Sequence, residues 1–93
     1  MKLNNLSDKE LLIKTRSLVK RERELLTQIL HHLKEVHRRR LYSDLGYKSL
    51  FDYAVKELSY SEGQAARRIQ AMKLMAELPA VEEKIAAGKL SLS

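Results

Sequence analysis

The 93-residue chain has no cysteine and no tryptophan, and it contains one proline, one phenylalanine and three glycines. The lack of cysteine excludes a disulfide framework and a zinc–thiolate site. No apolar run is as long as a membrane span, and no secretory signal opens the sequence. The chain is rich in Leu, Ala, Lys, Arg and Glu, a helical composition. We therefore expect one all-α domain spanning residues 1–93, located in a bacterial cytoplasm, with no membrane partner.

Positive charge is concentrated in one part of the sequence. Residues 14–40 contain nine Lys or Arg and three Glu, a balance of 9 − 3 = +6, whereas the remaining nine basic and nine acidic residues cancel. A basic protein attracts polyanions, of which nucleic acid is the commonest. This distribution favours a nucleic-acid partner, and the alternative is a basic helix surface that is merely solvated.

A long amphipathic helix is predicted over residues 7–42. Ser7 and Glu10 form a capping box, and no helix breaker follows until Gly46. At 1.5 Å per residue such a helix is about 50 Å long, more than the rest of a small domain covers. We therefore expect a homodimer whose interface includes the heptad series Leu12, Val19, Leu26 and Leu33.

A helix-turn-helix unit and a short fourth helix are predicted over residues 49–87. Ser49 caps a helix running to Leu58, Ser59 and Tyr60 form the turn, and Ser61 caps a third helix that continues to about Leu78. The fourth helix is expected over residues 79–87, with Gly88 at its C′ position. The residues expected to face inward are Ala65, Ile69, Met72, Ala76, Val81 and Ile85.

The third helix is the predicted DNA-recognition helix, because polar and cationic side chains in its first turns can reach base edges and phosphates. Its candidate contacts are Gln64, Arg67, Arg68, Gln70 and Lys73. A second set of candidates for phosphate contact lies on the long helix and comprises Lys14, Lys20, Arg38, Arg39 and Arg40. The turn departs from the usual pattern, which has Gly where Ser59 stands and an apolar residue where Arg68 stands.

Two resemblances favour DNA binding. The run Leu78-Pro79, Val81-Glu82-Glu83 and Gly88-Lys89-Leu90-Ser91 resembles the helix-turn-helix region of ParB-type partition proteins. Residues 41–53, together with 61–71, are similar to the N-terminal region of bacterial proteins that end in an HNH nuclease domain. The second resemblance implies a domain that delivers a nuclease to DNA. The apolar tail residues Leu90 and Leu92 suggest that the chain is a fragment of a longer protein.

No constellation of catalytic residues is visible, so we expect no enzyme activity, no small-molecule substrate and no cofactor within these residues. His31, His32 and His37 lie on one predicted helix without the spacing that would direct two of them to one metal, so no metal site is expected. The four tyrosines, Tyr42, Tyr47, Tyr53 and Tyr60, lie among apolar residues and are expected to pack rather than stack on bases. The alternative function is a homodimerisation or protein-interaction module that does not touch DNA.

Overall fold

The computed structural model describes residues 2–78 and 80–88, apart from the side chain of Val81. The described residues form a 3-10 turn at Leu3–Asn5 and five α-helices. The helices are α1 (Asp8–Arg39), α2 (Leu41–Asp44), α3 (Leu50–Lys56), α4 (Glu62–Glu77) and α5 (Ala80–Ala86). The predicted all-α class is confirmed. None of these helices is long and apolar enough to cross a membrane.

Helix α1 begins as predicted but ends three residues earlier than the expected boundary. The Ser7 hydroxyl accepts a hydrogen bond from the Glu10 backbone N–H, as an N-cap should, but the Glu10 side chain does not return the second bond that the predicted capping box requires. At the other end Arg40 adopts a left-handed conformation with φ of 54°, and its N–H donates to the carbonyls of Val36 and His37. This left-handed residue turns the chain, so α2 starts a separate single turn of helix and the prediction of one helix to residue 42 is wrong.

The core lies where the carboxyl-terminal half of α1 meets α3, α4 and α5. Leu30 and Ile85 are fully buried from α1 and α5, and Leu50 contributes from α3. Ile85 therefore packs inward as predicted, whereas the prediction for Val81 lies outside the described side chains. Leu33 was expected at a dimer interface, but it is 4% exposed within the single chain and belongs to this core. That assignment is corrected, because α1 uses the position to bind its own domain.

The buried face of α4 is rotated from the predicted face. Ala65 and Met72 are buried as expected, and Ile69 is half-buried. Ala76, predicted to face inward, is exposed, whereas Ala71 and Met75 are buried. The rotation arises because α4 packs against α1 and α5 as well as against α3. The sequence pattern assumed that α4 packs against one other helix, so it could not predict the faces of α4 that pack against the others.

The amino-terminal half of α1 projects from the core. Every residue from Ser7 to Leu25 is exposed, and the exposed fraction reaches 69% at Leu12 and 61% at Leu18. Val19 is also exposed, and Leu26 is half-buried beside the core. Consequently Leu12 and Val19 remain open to a partner, as the dimer prediction requires. The predicted fourth helix and its end agree with α5 and with Gly88 at φ of 76°, while Pro79 and residues 89–93 lie outside the described part.

Candidate nucleic-acid interface

The connection between α3 and α4 is tightly held by backbone and side-chain hydrogen bonds. The backbone N–H of Tyr60 donates to the carbonyl of Ala54 at 3.1 Å, tying the turn back to α3. Ser59 has a φ of 61°, the left-handed conformation that glycine adopts most readily. The position where the helix-turn-helix pattern usually has glycine therefore takes the glycine-like conformation even though serine occupies it.

The start of α4 is fixed by the predicted capping box. The Ser61 hydroxyl accepts from the Gln64 backbone N–H at 3.1 Å, and Gln64 Oε1 accepts from the Ser61 backbone N–H at 3.1 Å. Ala65 on α4 and Ala54 on α3 are both buried, at 0% and 1% exposure. Their small side chains allow the two helices to cross closely, so α4 is held firmly against α3.

Three of the five predicted recognition residues lie together on the solvent face of α4. Arg67, Gln70 and Lys73 are exposed and follow one another at three-residue spacing, which keeps them on one side of the helix. Gly63 and Ala66 lie on the same side, and because their side chains are small, the backbone of α4 is accessible there. The Arg67 guanidinium lies over Gly63, with Nη1 3.4 Å from where a Cβ would be. Acidic side chains, Glu62 and Glu77, occur at the two ends of this face, so its centre is basic.

Arg68 does not lie on that open face, which corrects its assignment as a groove-facing residue. Its guanidinium carbon is 4.7 Å from the centre of the Tyr60 ring, a cation–π contact. Its Nε and Nη1 atoms are buried and have no hydrogen-bond partner among the residues that the structure describes. Arg68 therefore packs α4 onto the turn. Gln64 is also committed to structure, because its side-chain oxygen caps the helix.

The phosphate-contact candidates on α1 fall into two groups that the fold does not bring together. Lys14 and Lys20 are exposed on the projecting amino-terminal half. Arg38 and Arg39 both bind Glu35, with the Arg39 Nε atom 2.6 Å from Oε2. These two guanidinium groups lower the pKa of Glu35 from 4.5 to about 2. Arg40 is exposed at the left-handed residue that ends α1.

The histidine and tyrosine side chains make hydrogen bonds and ring contacts within the chain. His31 Nε2 is 2.6 Å from Glu82 on α5, His32 Nδ1 is 2.7 Å from the Gln28 carbonyl, and the His37 ring stacks on Tyr42. No group of three or more potential metal-ligating residues occurs within residues 2–78 and 80–88. All four tyrosines are half-buried, as the packing prediction expects. The Tyr47 hydroxyl donates to Glu57, and this hydrogen bond raises the pKa of Tyr47.

Sequence reasoning predicted helix α4 and the exposure of Arg67, Gln70 and Lys73 but missed the structural role of Arg68. The signal that could have revealed it is the spacing of eight residues, about two helical turns, between Arg68 and Tyr60. Tyr60 lies just before the Ser61 cap and can reach the first turns of α4. Comparison with known proteins gives no match of this chain to any family model, curated protein or solved structure. The two resemblances described above therefore stay predictions, and the functional argument depends on the geometry of this chain.

Proposed function

We propose that this chain is a DNA-binding domain that inserts the open face of α4 into the major groove of duplex DNA. The observation that carries the proposal is the combination of a rigid, capped turn with the exposed series Arg67, Gln70 and Lys73. A helix of this kind fits the major groove, where arginine can bind guanine and glutamine can bind adenine through paired hydrogen bonds.

The small residues on the same face support the proposal. With Gly63 and Ala66 beside the cationic side chains, the backbone of the first turns of α4 can approach the DNA closely. Arg67 and Lys73 would supply base or phosphate contacts, and Gln70 would read a base edge. The surplus of positive charge on α1 would add sequence-independent attraction to phosphates, and the exposed Lys14, Lys20 and Arg40, which lie outside the Glu35 ion pairs, would contribute to it.

The resemblance to the N-terminal regions of HNH-nuclease proteins supports a further part of the proposal. A domain of this kind would serve as the DNA-targeting part of a longer nuclease-like protein, while contributing no catalytic group itself. In that arrangement α4 chooses or holds the DNA and a separate domain performs the hydrolysis.

The test is a titration of fluorescent duplex DNA with the chain and with single alanine variants at several salt concentrations. Arg67→Ala and Gln70→Ala should each weaken binding by about 1–3 kcal/mol if the lost contact is to a base, and by less for a phosphate contact. Each phosphate contact contributes about −0.9 to the slope of log K against log salt, so losing one should flatten the dependence. Thermal unfolding of each variant checks that the fold is intact.

Lys84→Ala is the matched control, because it removes one exposed cation from α5 rather than from α4. If Lys84→Ala and Arg67→Ala weaken DNA binding equally, binding depends only on nonspecific attraction between charges. That result would contradict the recognition-helix proposal. Absence of measurable DNA binding at low salt by the wild-type chain would favour the interaction-module alternative instead.

A further inference from the structure

A groove runs along the carboxyl-terminal half of α1, on the side facing α3 and the turn. Its floor includes Leu25, Ile29 and Val36 of α1, and Tyr53 and Leu58 form the opposite wall. The groove has a volume of about 480 Å³. Because its lining is predominantly apolar, an occupant with an apolar helical face would remove this surface from water.

The same helix carries an uncovered apolar row that continues from this groove. Leu11, Leu18 and Leu25 repeat every seven residues, and they are 38%, 61% and 56% exposed. Leu25 belongs to both the row and the groove lining, so the two surfaces are continuous. One half of α1 therefore presents an apolar ridge, and the other half presents an apolar groove.

We propose that the occupant of this groove is the amino-terminal half of α1 from a second copy of the chain. Two α1 helices running antiparallel place the ridge of each copy in the groove of the other. A single two-fold axis then buries both surfaces at once, as an isologous interface requires. The midpoint of Asp8–Arg39 lies between Arg23 and Glu24, because (8 + 39)/2 = 23.5. A two-fold axis at that point pairs the two α1 helices along their full length.

This axis defines the register of the interface. Opposed residues have numbers that add up to 47, so Leu18 lies opposite Ile29 of the partner and Leu11 lies opposite Val36 of the partner. Two of the three ridge residues, Leu11 and Leu18, thereby meet an apolar residue of the groove floor, while Leu25 lies next to the axis, opposite Glu22 of the partner. The arrangement also explains the extent of the exposed face, since α1 is about 48 Å long and only its second half is covered within one chain.

The charges beside the two surfaces are complementary. Lys14 and Arg21 lie on the same side of α1 as the ridge, at three- and four-residue spacings from its leucines. In the sequence, Glu57 and Glu62 flank the groove residues Leu58 and Tyr60, and both are exposed. Antiparallel seating brings the basic border of one copy toward the acidic border of the other. An unrelated apolar helix would fill the groove but would not match both borders and cover the ridge as well.

The experiment uses sedimentation of the full 93-residue chain without DNA, so its result is independent of the proposed DNA binding. The wild-type chain should be a dimer. Leu18→Lys places a charge in the interface and should raise the dimer dissociation constant about 100-fold or more. Ile13→Lys is the matched control, because Ile13 is 59% exposed on the opposite side of α1. It should leave the dimer unchanged.

The relative orientation of the two α1 helices is measured with a spin label attached to the Lys9→Cys variant. The natural chain has no cysteine, so each copy carries a single label. Antiparallel pairing about the proposed axis separates the two labels by about 44 Å along the helices, whereas parallel pairing would leave them about 10–20 Å apart. A monomeric wild-type chain, equal effects of the two lysine substitutions, or a short label distance would each overturn the proposal.

Charge reversal tests the borders separately. Lys14→Glu with Arg21→Glu should weaken the dimer, and adding Glu57→Lys with Glu62→Lys should restore it. If the quadruple variant dimerises no better than the Lys14→Glu, Arg21→Glu double variant, the pairing of the basic and acidic borders is contradicted, and so is the antiparallel arrangement that predicts it.

Discussion

The two halves of α1 share one apolar repeat but differ in burial. Leu12 and Leu30 are 18 residues apart, about five helical turns, and so lie on the same line along the helix. Leu30 is completely buried by the rest of the domain, whereas Leu12 is 69% exposed. The comparison teaches that periodicity identifies an apolar line along a helix, but it does not say which part of that line the rest of the chain will cover.

The largest expected effect tests that difference directly. Leu30→Ala should lower the free energy of unfolding by about 2–5 kcal/mol, because it leaves a cavity in the core. Leu12→Ala should change it by less than about 0.5 kcal/mol, as exposed substitutions usually do. Urea unfolding of both variants in dilute, monomeric solution measures the contrast. Similar losses for the two would mean that the amino-terminal half of α1 is covered within one chain.

A smaller effect is expected at the boundary between the two halves. The Arg23 side chain lies against Gly88, with its Cζ atom 2.6 Å from where a Cβ on residue 88 would lie. Gly88 also has a positive φ of 76°. Gly88→Ala should destabilise the fold by roughly 1–2 kcal/mol, mainly because the left-handed conformation is strained for alanine.

The double variant Gly88→Ala with Arg23→Ala separates the causes of that loss. If strain dominates, the Gly88→Ala penalty persists in the Arg23→Ala background when both are compared by thermal unfolding. Full recovery in that background would instead show that the clash with the arginine was the cause.

Helix caps provide the next contrast, because α1 and α4 both begin with a serine N-cap but lie in different surroundings. Ser61→Ala should cost about 1 kcal/mol of global stability, since α4 packs against the core at Ala65 soon after its cap. Ser7→Ala should instead increase fraying of the first turns of α1 and leave global unfolding nearly unchanged, because that end is exposed. Hydrogen exchange distinguishes the two; equal global losses would contradict the difference between the halves.

These caps also show which features of the fold can be predicted from sequence. Ser7, Ser49 and Ser61 each accept a hydrogen bond from the N–H three residues later, as their spacing predicts. The contacts are local, so the sequence around each serine is sufficient. The end of α1 at Arg40 could not be predicted in this way, because an arginine in the left-handed region has no local sequence cue.

The candidate site was predictable to a similar extent. Helical spacing placed Arg67, Gln70 and Lys73 on one exposed face, and the structure agrees. The burial of Arg68 atoms depends on the position of the Tyr60 ring, and the burial of Ala71 depends on α4 packing against additional helices. Those contacts are tertiary, so a pattern derived from one pair of helices does not contain them.

The smallest effect concerns Glu35, at the covered end of α1. Arg38 and Arg39 hydrogen-bond to this carboxylate and lower its pKa from 4.5 to about 2. A carboxyl group whose pKa is lowered by folding stabilises the folded state above its unfolded pKa and loses that contribution as the pH falls. The loss should therefore occur between about pH 4.5 and pH 2. NMR titration of the Glu35 side chain measures the pKa, and acid unfolding of Glu35→Gln should lack this component. Because all three side chains are exposed, the effect on stability is expected to be small and to shrink as salt is added.

Glu10, in the first turn of the projecting half, is the comparison carboxylate, and Glu10→Gln should leave this component of the acid transition in place. A Glu35 pKa close to 4.5 would show that neither arginine holds the carboxylate in solution, and it would leave both guanidinium groups at the end of α1 available to bind phosphate.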